Sequence, residues 1–488
     1  MIQKKSSILL VFYLLMVGFI FCQENKVTSV ENNLTESRNI IFEDSVVPKY
    51  NLPDRMKFYK IPSVSIAIIN DGKVEWAKAY GYADMETKRL ANSATLYQAA
   101  SLSKSVNALG IMKLVQDGRL SLDKDIRTYL ISWTFPDNEF STGKIITIKN
   151  LLSHTAGLST SGFFGYSKTD TIPTINQILN GQGPATNEAV KPILIPGTAV
   201  KYSGGGTTII RKILDDNIST NYDSLMQEVI LKPLKMTNST FSQPLNDAVK
   251  NYACAYDKEM HVLPGNYRVH PEQAPDGLWT TATDFAKFII AVQQSFNGNK
   301  NAILKQNEAT EMLTPVIKNS DAALGTFIRN QNDEKYFTHI GANYGYRSAY
   351  YASFTGGKGI VIFTNSDNGQ ALIDEITNSV AIVYKWKGIY DPVVKKLVSV
   401  PDSLINKYVG DYYSEDPQMK ISIIKKNDGL ELTARKPEKM FATGPGTFFL
   451  VSSPDDNCVF LSSKNNGIID TFEVMQGTKV IVKAIKKQ

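Results

Sequence analysis

Cysteine and histidine are scarce in this chain, with three and four residues among 488. Three cysteines cannot build a disulfide framework, and Cys254 and Cys458 read as small buried hydrophobes. His154, His261, His270 and His339 form neither an HExxH pair nor a set with paired cysteines, so no zinc and no cofactor is expected. Charge of one sign is also lacking. The 53 Lys and Arg exceed the 47 Asp and Glu by only six, both signs are scattered, and no arginine cluster or nucleic-acid module is present. A polyanion partner is therefore not expected. The one long apolar run, Ile8–Phe21, holds about fourteen residues, short of the roughly 20 that span a bilayer.

That run follows Lys4 and Lys5 and gives way to Gln23, Glu24 and Asn25. A basic start, a short apolar core and a polar exit are the layout of a secretory signal peptide, here residues 1–22. An exported protein, periplasmic or secreted, is expected. A retained N-terminal anchor is the first alternative, and lipidation at Cys22 a second that the bulky Phe21 disfavours. Residues 23–47 are rich in Asn, Glu, Ser and Thr without a period and read as a flexible linker.

The remaining length exceeds what one compact core usually carries, so two domains are expected. Ser63–Ile69 and Lys73–Tyr80 flank Asp71-Gly72, a hairpin signature. Arg347–Phe354 and Gly359–Thr364 flank Gly356-Gly357 and form a second hairpin, followed by an amphipathic run from Leu372 to Trp386. Helical and loop-like sequence lies between the hairpins. Strands at both ends with helices between them predict an α+β domain over 48–392, its antiparallel sheet assembled from the two ends. Beyond Asp391-Pro392, six or seven short alternating segments separated by Gly and Asn turns read as a small all-β domain over 393–488, of barrel or lipocalin-like type.

Chemistry concentrates around Ser101. Leu102, Val106, Leu109, Met112 and Val115 mark one face of a helix that Asp117-Gly118 ends, so Ser101 stands at its start. Lys104 lies three residues on, on the same face. A helix N-terminus offers free N–H groups and a positive dipole end to a developing oxyanion. The same field, with burial, is expected to favour a neutral Lys104 amine able to take the serine proton.

Ser-x-x-Lys alone is a weak signal, but three further segments follow in order: Ser153-His-Thr-Ala-Gly-Leu158, Pro196-Gly-Thr-Ala-Val-Lys-Tyr202-Ser-Gly-Gly-Gly206, and His339-Ile-Gly341 leading into the second hairpin. Together these resemble the serine β-lactamase and penicillin-binding protein family, in its class C and DD-peptidase branch with esterase and D-aminopeptidase relatives. The resemblance covers roughly residues 50–390. It implies a β-lactamase/transpeptidase-like fold in which Ser101 is acylated, Lys104 is its proton partner and Tyr202 is a second general acid/base. It implies also an oxyanion hole from the N–H groups of Ser101 and Ala342, with Gly341 letting the strand approach the substrate. His154 is read as bracing a helix end, Thr281 with Asp284 as a helix cap, and His261 and His270 are given no role.

Two departures bear on substrate. The second motif usually ends in Asn two residues after its Tyr or Ser, where this chain has Gly204, and the third usually begins with Lys, where this chain has His339. A neutral histidine cannot hold a carboxylate as lysine does. The expectation is a hydrolase of esters, small amides or peptides, D-residues included, of esterase, D-aminopeptidase or carboxypeptidase type and not a dedicated antibiotic-resistance enzyme. The alternative is a non-turnover penicillin sensor or scaffold of the same fold.

Overall fold

The computed structural model describes residues 25–487 apart from 38–39, 220, 332, 428 and 464–466. The expected signal segment, residues 1–22, and Cys22 lie outside the described residues. The first hairpin forms from β1 (Ser63–Asn70) and β2 (Lys73–Asp84), with Asn70 opposite Lys73. Its turn residues Asp71 and Gly72 both take positive φ, 50° and 69°. That is the conformation an Asp-Gly turn supplies most cheaply between twisted strands.

The sheet continues with β3 (Arg89–Leu90), β4 (Phe327–Gln331), β5 (Glu334–Asn343), β6 (Tyr346–Ser353) and β7 (Gly359–Thr364), in the order β3-β2-β1-β7-β6-β5-β4. Every neighbouring pair is antiparallel, and β1 against β7 joins the two ends of the domain. The two are central strands buried on both faces, so they read as continuous apolar runs rather than alternating ones. The four longest of the described helices are α1 (Ser103–Gln116), α2 (Gly204–Asn217), α3 (Ala282–Phe296) and α4 (Gly369–Tyr384). α3 packs on β1, β2 and β7, and α4 on β6 and β7. The Thr281 side chain caps α3 by accepting from the Asp284 N–H.

The chain divides into two compact units. One takes the described residues up to Leu34 together with Tyr50–Ile389, the other Thr35–Lys49 together with Tyr390 onward. Residues 25–31 are helical, and Val30 and Leu34 are buried, where the sequence suggests a flexible linker. Glu31 accepts from Lys78 and Tyr80 of β2. These polar residues owe their helical order to such tertiary contacts, which composition does not register. Farther on, Ile40–Phe42 pairs in parallel with Val393–Lys395. In the second unit eight strands, from Gly410–Glu415 to Lys479–Lys486, close a barrel, with Tyr412 opposite Lys486 at the seam. It has its own aromatic core of Tyr408, Tyr412, Phe448, Phe460 and Phe472. Gly410–Glu415 and Pro437–Gly444 are the strands that the alternating pattern does not reveal. Among the described residues no helix is long and apolar enough to cross a membrane.

Candidate active site

Ser101 stands in a single 3-10 turn, Ala100–Leu102, that runs directly into α1. Ala100 before it has φ 51°, a left-handed conformation that alanine seldom adopts. Such a backbone costs roughly 1–3 kcal/mol and persists only where the surroundings impose it. Here Ser103 Oγ donates to Ala100 O at 2.6 Å and accepts from the Leu278 N–H at 3.0 Å. Ser348 Oγ on β6 donates to Ala99 O at 2.8 Å. Gly341 of β5 closes the other side. A Cβ there would stand 2.3 Å from Ser348 Oγ and 2.6 Å from Ala99 O. The glycine thus permits the close contact between β5 and the turn that holds Ser101. Ala342 next to it is exposed.

One helical turn on, Lys104 is buried with its side chain 1% exposed. Its Nζ donates to Ser101 Oγ at 2.9 Å, to Pro275 O at 3.0 Å and to Asp276 Oδ1 at 3.2 Å. Ser101 Oγ in turn donates to the same Asp276 Oδ1 at 3.3 Å. The expectation of a neutral amine needs correction. Burial does push Lys104 toward neutrality, but the charges of Asp276 and Tyr202 and hydrogen bonds to both outweigh it, holding the lysine above its ordinary value. Asp276 is the site residue that the sequence reading misses. It sits just before Gly277-Leu-Trp279, and nothing local marks it as different from any loop carboxylate.

Tyr202 lies beside this pair, with Lys104 Nζ 5.1 Å from its ring centroid. The residue after it, Ser203, caps α2 by accepting from Gly206 N–H at 3.0 Å. The turn is held by His154, whose Nδ1 accepts from the Ser203 N–H at 3.2 Å and whose carbonyl accepts from the Lys201 N–H at 2.7 Å. Its ring packs 4.3 Å from that of Tyr202. Burial first, then the charge of Lys104, keep His154 well below the ordinary histidine value. His154 thus braces the turn that presents Tyr202. A side chain at Gly204 would meet Ser161 O at 3.1 Å and the Phe163 ring at 3.2 Å. The loop over 161–163 therefore occupies the direction in which the family's usual Asn would project.

His339 on β5 is buried, its ring 6.1 Å from Tyr202 and 5.3 Å from Phe327. Its Nδ1 lies 2.7 Å from Ile340 O, and burial, then the nearby Lys104 charge, bring it down to about 3. It is a neutral ring at neutral pH. Ser101, Lys104, Tyr202 and His339 are therefore gathered at one place, from α1, the α2 cap and β5. Beneath Asp276, His270 Nδ1 lies 2.8 Å from Glu272 Oε1, both side chains fully buried. His270, Glu272 and Asp276 bring three potential metal-ligand atoms within 4.8 Å of one another. They are engaged in internal pairs, His270 with Glu272 and Asp276 with Lys104. His261 is elsewhere, exposed beside Asp257.

A family model described as Beta-lactamase matches residues 51–382. Protein flp of Staphylococcus aureus (strain N315) is 28% identical over 313 residues, which are 62% of this chain and 60% of that protein. The chain thus spans about three fifths of the length of that relative. Among solved structures, the octameric penicillin-binding protein homologue from Pyrococcus abyssi aligns with a TM-score of 0.58 at 22% identity, covering 89% of this chain and 98% of that one. The D-amino acid amidase from Ochrobactrum anthropi SV3, complexed with L-phenylalanine amide, aligns with a TM-score of 0.53 at 22% identity, covering 68% and 96%. At such identity these two structures speak for the fold.

Proposed function

Because the chain belongs to the beta-lactamase family, we propose that it is a serine hydrolase that works through an acyl-enzyme on Ser101. The observation that carries this reading is Lys104 Nζ at 2.9 Å from Ser101 Oγ, in a pocket where the lysine is buried. Ser101 Oγ attacks the substrate carbonyl, and the N–H groups of Ser101 and Ala342 receive the oxyanion. Tyr202 exchanges protons with the nucleophile, the leaving group and the deacylating water, and Lys104 stabilises charge beside it. His339 and Gly341 form the β5 wall along which the substrate lies.

The substrates are esters, small amides or peptides, including those with D-residues. Gly204 brings no side-chain amide to an acyl-side peptide group, and neutral His339 supplies no permanent cation for a carboxylate. Both weaken recognition of β-lactams while leaving acyl transfer in place. The basic and apolar opening of the chain supports export.

Ser101→Ala is expected to abolish both hydrolysis of short-chain nitrophenyl esters and D-aminoacyl amides and labelling by a fluorophosphonate probe. Retained hydrolysis in that variant rules the mechanism out. A wild-type protein that labels stoichiometrically and never recovers is instead a covalent sensor of the same fold.

A further inference from the structure

We propose that Asp276 is a positioning residue of this site: it holds Lys104 as a cation and orients the Ser101 hydroxyl, so that the lysine serves as fixed charge support for Ser101. The inference rests on the reading of Ser101 as nucleophile and Tyr202 as proton carrier, and adds the group that fixes Lys104 beside them.

The hydrogen-bond arrangement carries it. Lys104 Nζ has Ser101 Oγ at 2.9 Å, Pro275 O at 3.0 Å and Asp276 Oδ1 at 3.2 Å in reach, with Tyr202 as a further hydrogen-bonding group. An ammonium brings three N–H donors to these acceptors, whereas a neutral amine brings two. The remaining proton, on Ser101 Oγ, points at Asp276 Oδ1 at 3.3 Å and so away from the lysine. Each donor in the triangle then has an acceptor, and the lysine has no lone pair to offer. Asp276 is 3% exposed, so water does not weaken the pairing. The groups around Lys104 that bear or can bear charge are Asp276, Tyr202, His154 and His339, and around Asp276 also His270 and Glu272. His154 and His339 are held neutral, and His270 is paired with Glu272. Asp276 is thus the carboxylate that faces the lysine.

In acylation the Ser101 O–H bond breaks and its proton goes to the Tyr202 oxygen as that oxygen gives up a proton toward the leaving group. Ser101 Oγ bonds the carbonyl carbon, the bond from that carbon to the leaving group breaks, and the leaving group takes the proton from Tyr202. Lys104 and Asp276 end the step with the protons they began with, as electrostatic support and not as carriers.

Asp276→Asn keeps the shape and the acceptor but removes the charge, and Asp276→Ala removes both. The measurement is the pH profile of kcat/KM on a nitrophenyl ester, with thermal melts to confirm folding and fluorophosphonate labelling to report on Ser101. Without its counter-ion the buried lysine loses its proton at lower pH. The alkaline limb should therefore move down by about one unit or more in both variants, a roughly tenfold loss at a fixed alkaline pH. Asp276→Ala should add a loss at every pH, because the Ser101 hydroxyl also loses its acceptor. An unmoved alkaline limb in the folded variants overturns the proposal. So does an acid limb that moves down with a gain in rate at neutral pH, since that marks a neutral Lys104 as the base. Wild-type labelling lost in Ser101→Ala shows that the nucleophile reading stands independently of these results, and its absence marks failure of that reading instead.

Discussion

His339 is a histidine that its surroundings prevent from acting as a cation. On β5 it stands where the family usually places a lysine, and it carries a buried ring near Lys104. Its folded-state value is about 3, below the ordinary 6.5 of an unfolded chain. The sign follows from linkage. Between those two values the unfolded chain binds a proton that the folded one refuses, so stability present above about pH 6.5 is lost as pH falls toward 3. His154 acts in the same direction. His339→Gln keeps a polar side chain without the titration, so its melting temperature should fall less than the wild type's between pH 7 and 4. Parallel loss in the two proteins counts against this account. Much of this residue's role is visible in sequence, since its motif and its chemistry both are. Asp276 is the opposite case. Its importance comes from a contact 172 positions away in the chain, with Lys104, and no spacing rule connects the two.

At the scale of elements, the turn that holds Ser101 is set by a strand that reaches it from the far end of the domain. Gly341 lets β5 lie against Ala99 and Ala100, and even one added carbon would overlap Ala99 O at 2.6 Å. Gly341→Ala should therefore displace the turn that holds Ser101 while the rest of the sheet persists. The expected result is a fall of about tenfold or more in the rate of fluorophosphonate labelling, equivalent to about 1.4 kcal/mol of barrier, with a thermal melt still cooperative. Unchanged labelling kinetics would show that the turn does not depend on this contact. The same scale explains which elements were readable. The two hairpins and α1 announce themselves through turn residues and periodicity, which are local. The strand Gly410–Glu415 alternates only weakly, and Pro437–Gly444 carries proline, glycine and charge, as the solvent-facing strands of a small barrel can. The helix over 25–31 and the strand Ile40–Phe42 exist through partners elsewhere in the chain, so a linker composition hides them.

At the scale of the first unit, the assembly of one sheet from two chain ends needs a fastening, and Arg55 with Glu375 supplies it across 320 residues. Arg55 sits in the helix Leu52–Phe58 before β1, and Glu375 on α4 after β7. Arg55 Nε donates to Glu375 Oε2 at 2.7 Å and its Nη2 to Oε1, while Tyr59 Oη donates to Oε1 at 2.6 Å. The guanidinium also lies 4.1 Å from the Tyr50 ring centroid. Both charged side chains are nearly inaccessible, 6% and 2% exposed. A buried pair of this kind adds little net stability over an apolar replacement, but an orphaned partner is expensive. Arg55→Met should leave the Glu375 carboxylate buried without its cation and lower the unfolding free energy by about 3–5 kcal/mol. Arg55→Met with Glu375→Leu should recover much of that loss, since no charge is then stranded. Urea titrations of the wild type, both single variants and the double variant give the coupling directly. A double variant as unstable as the sum of the singles would mean that the two ends are fastened by packing around the pair rather than by the pair itself.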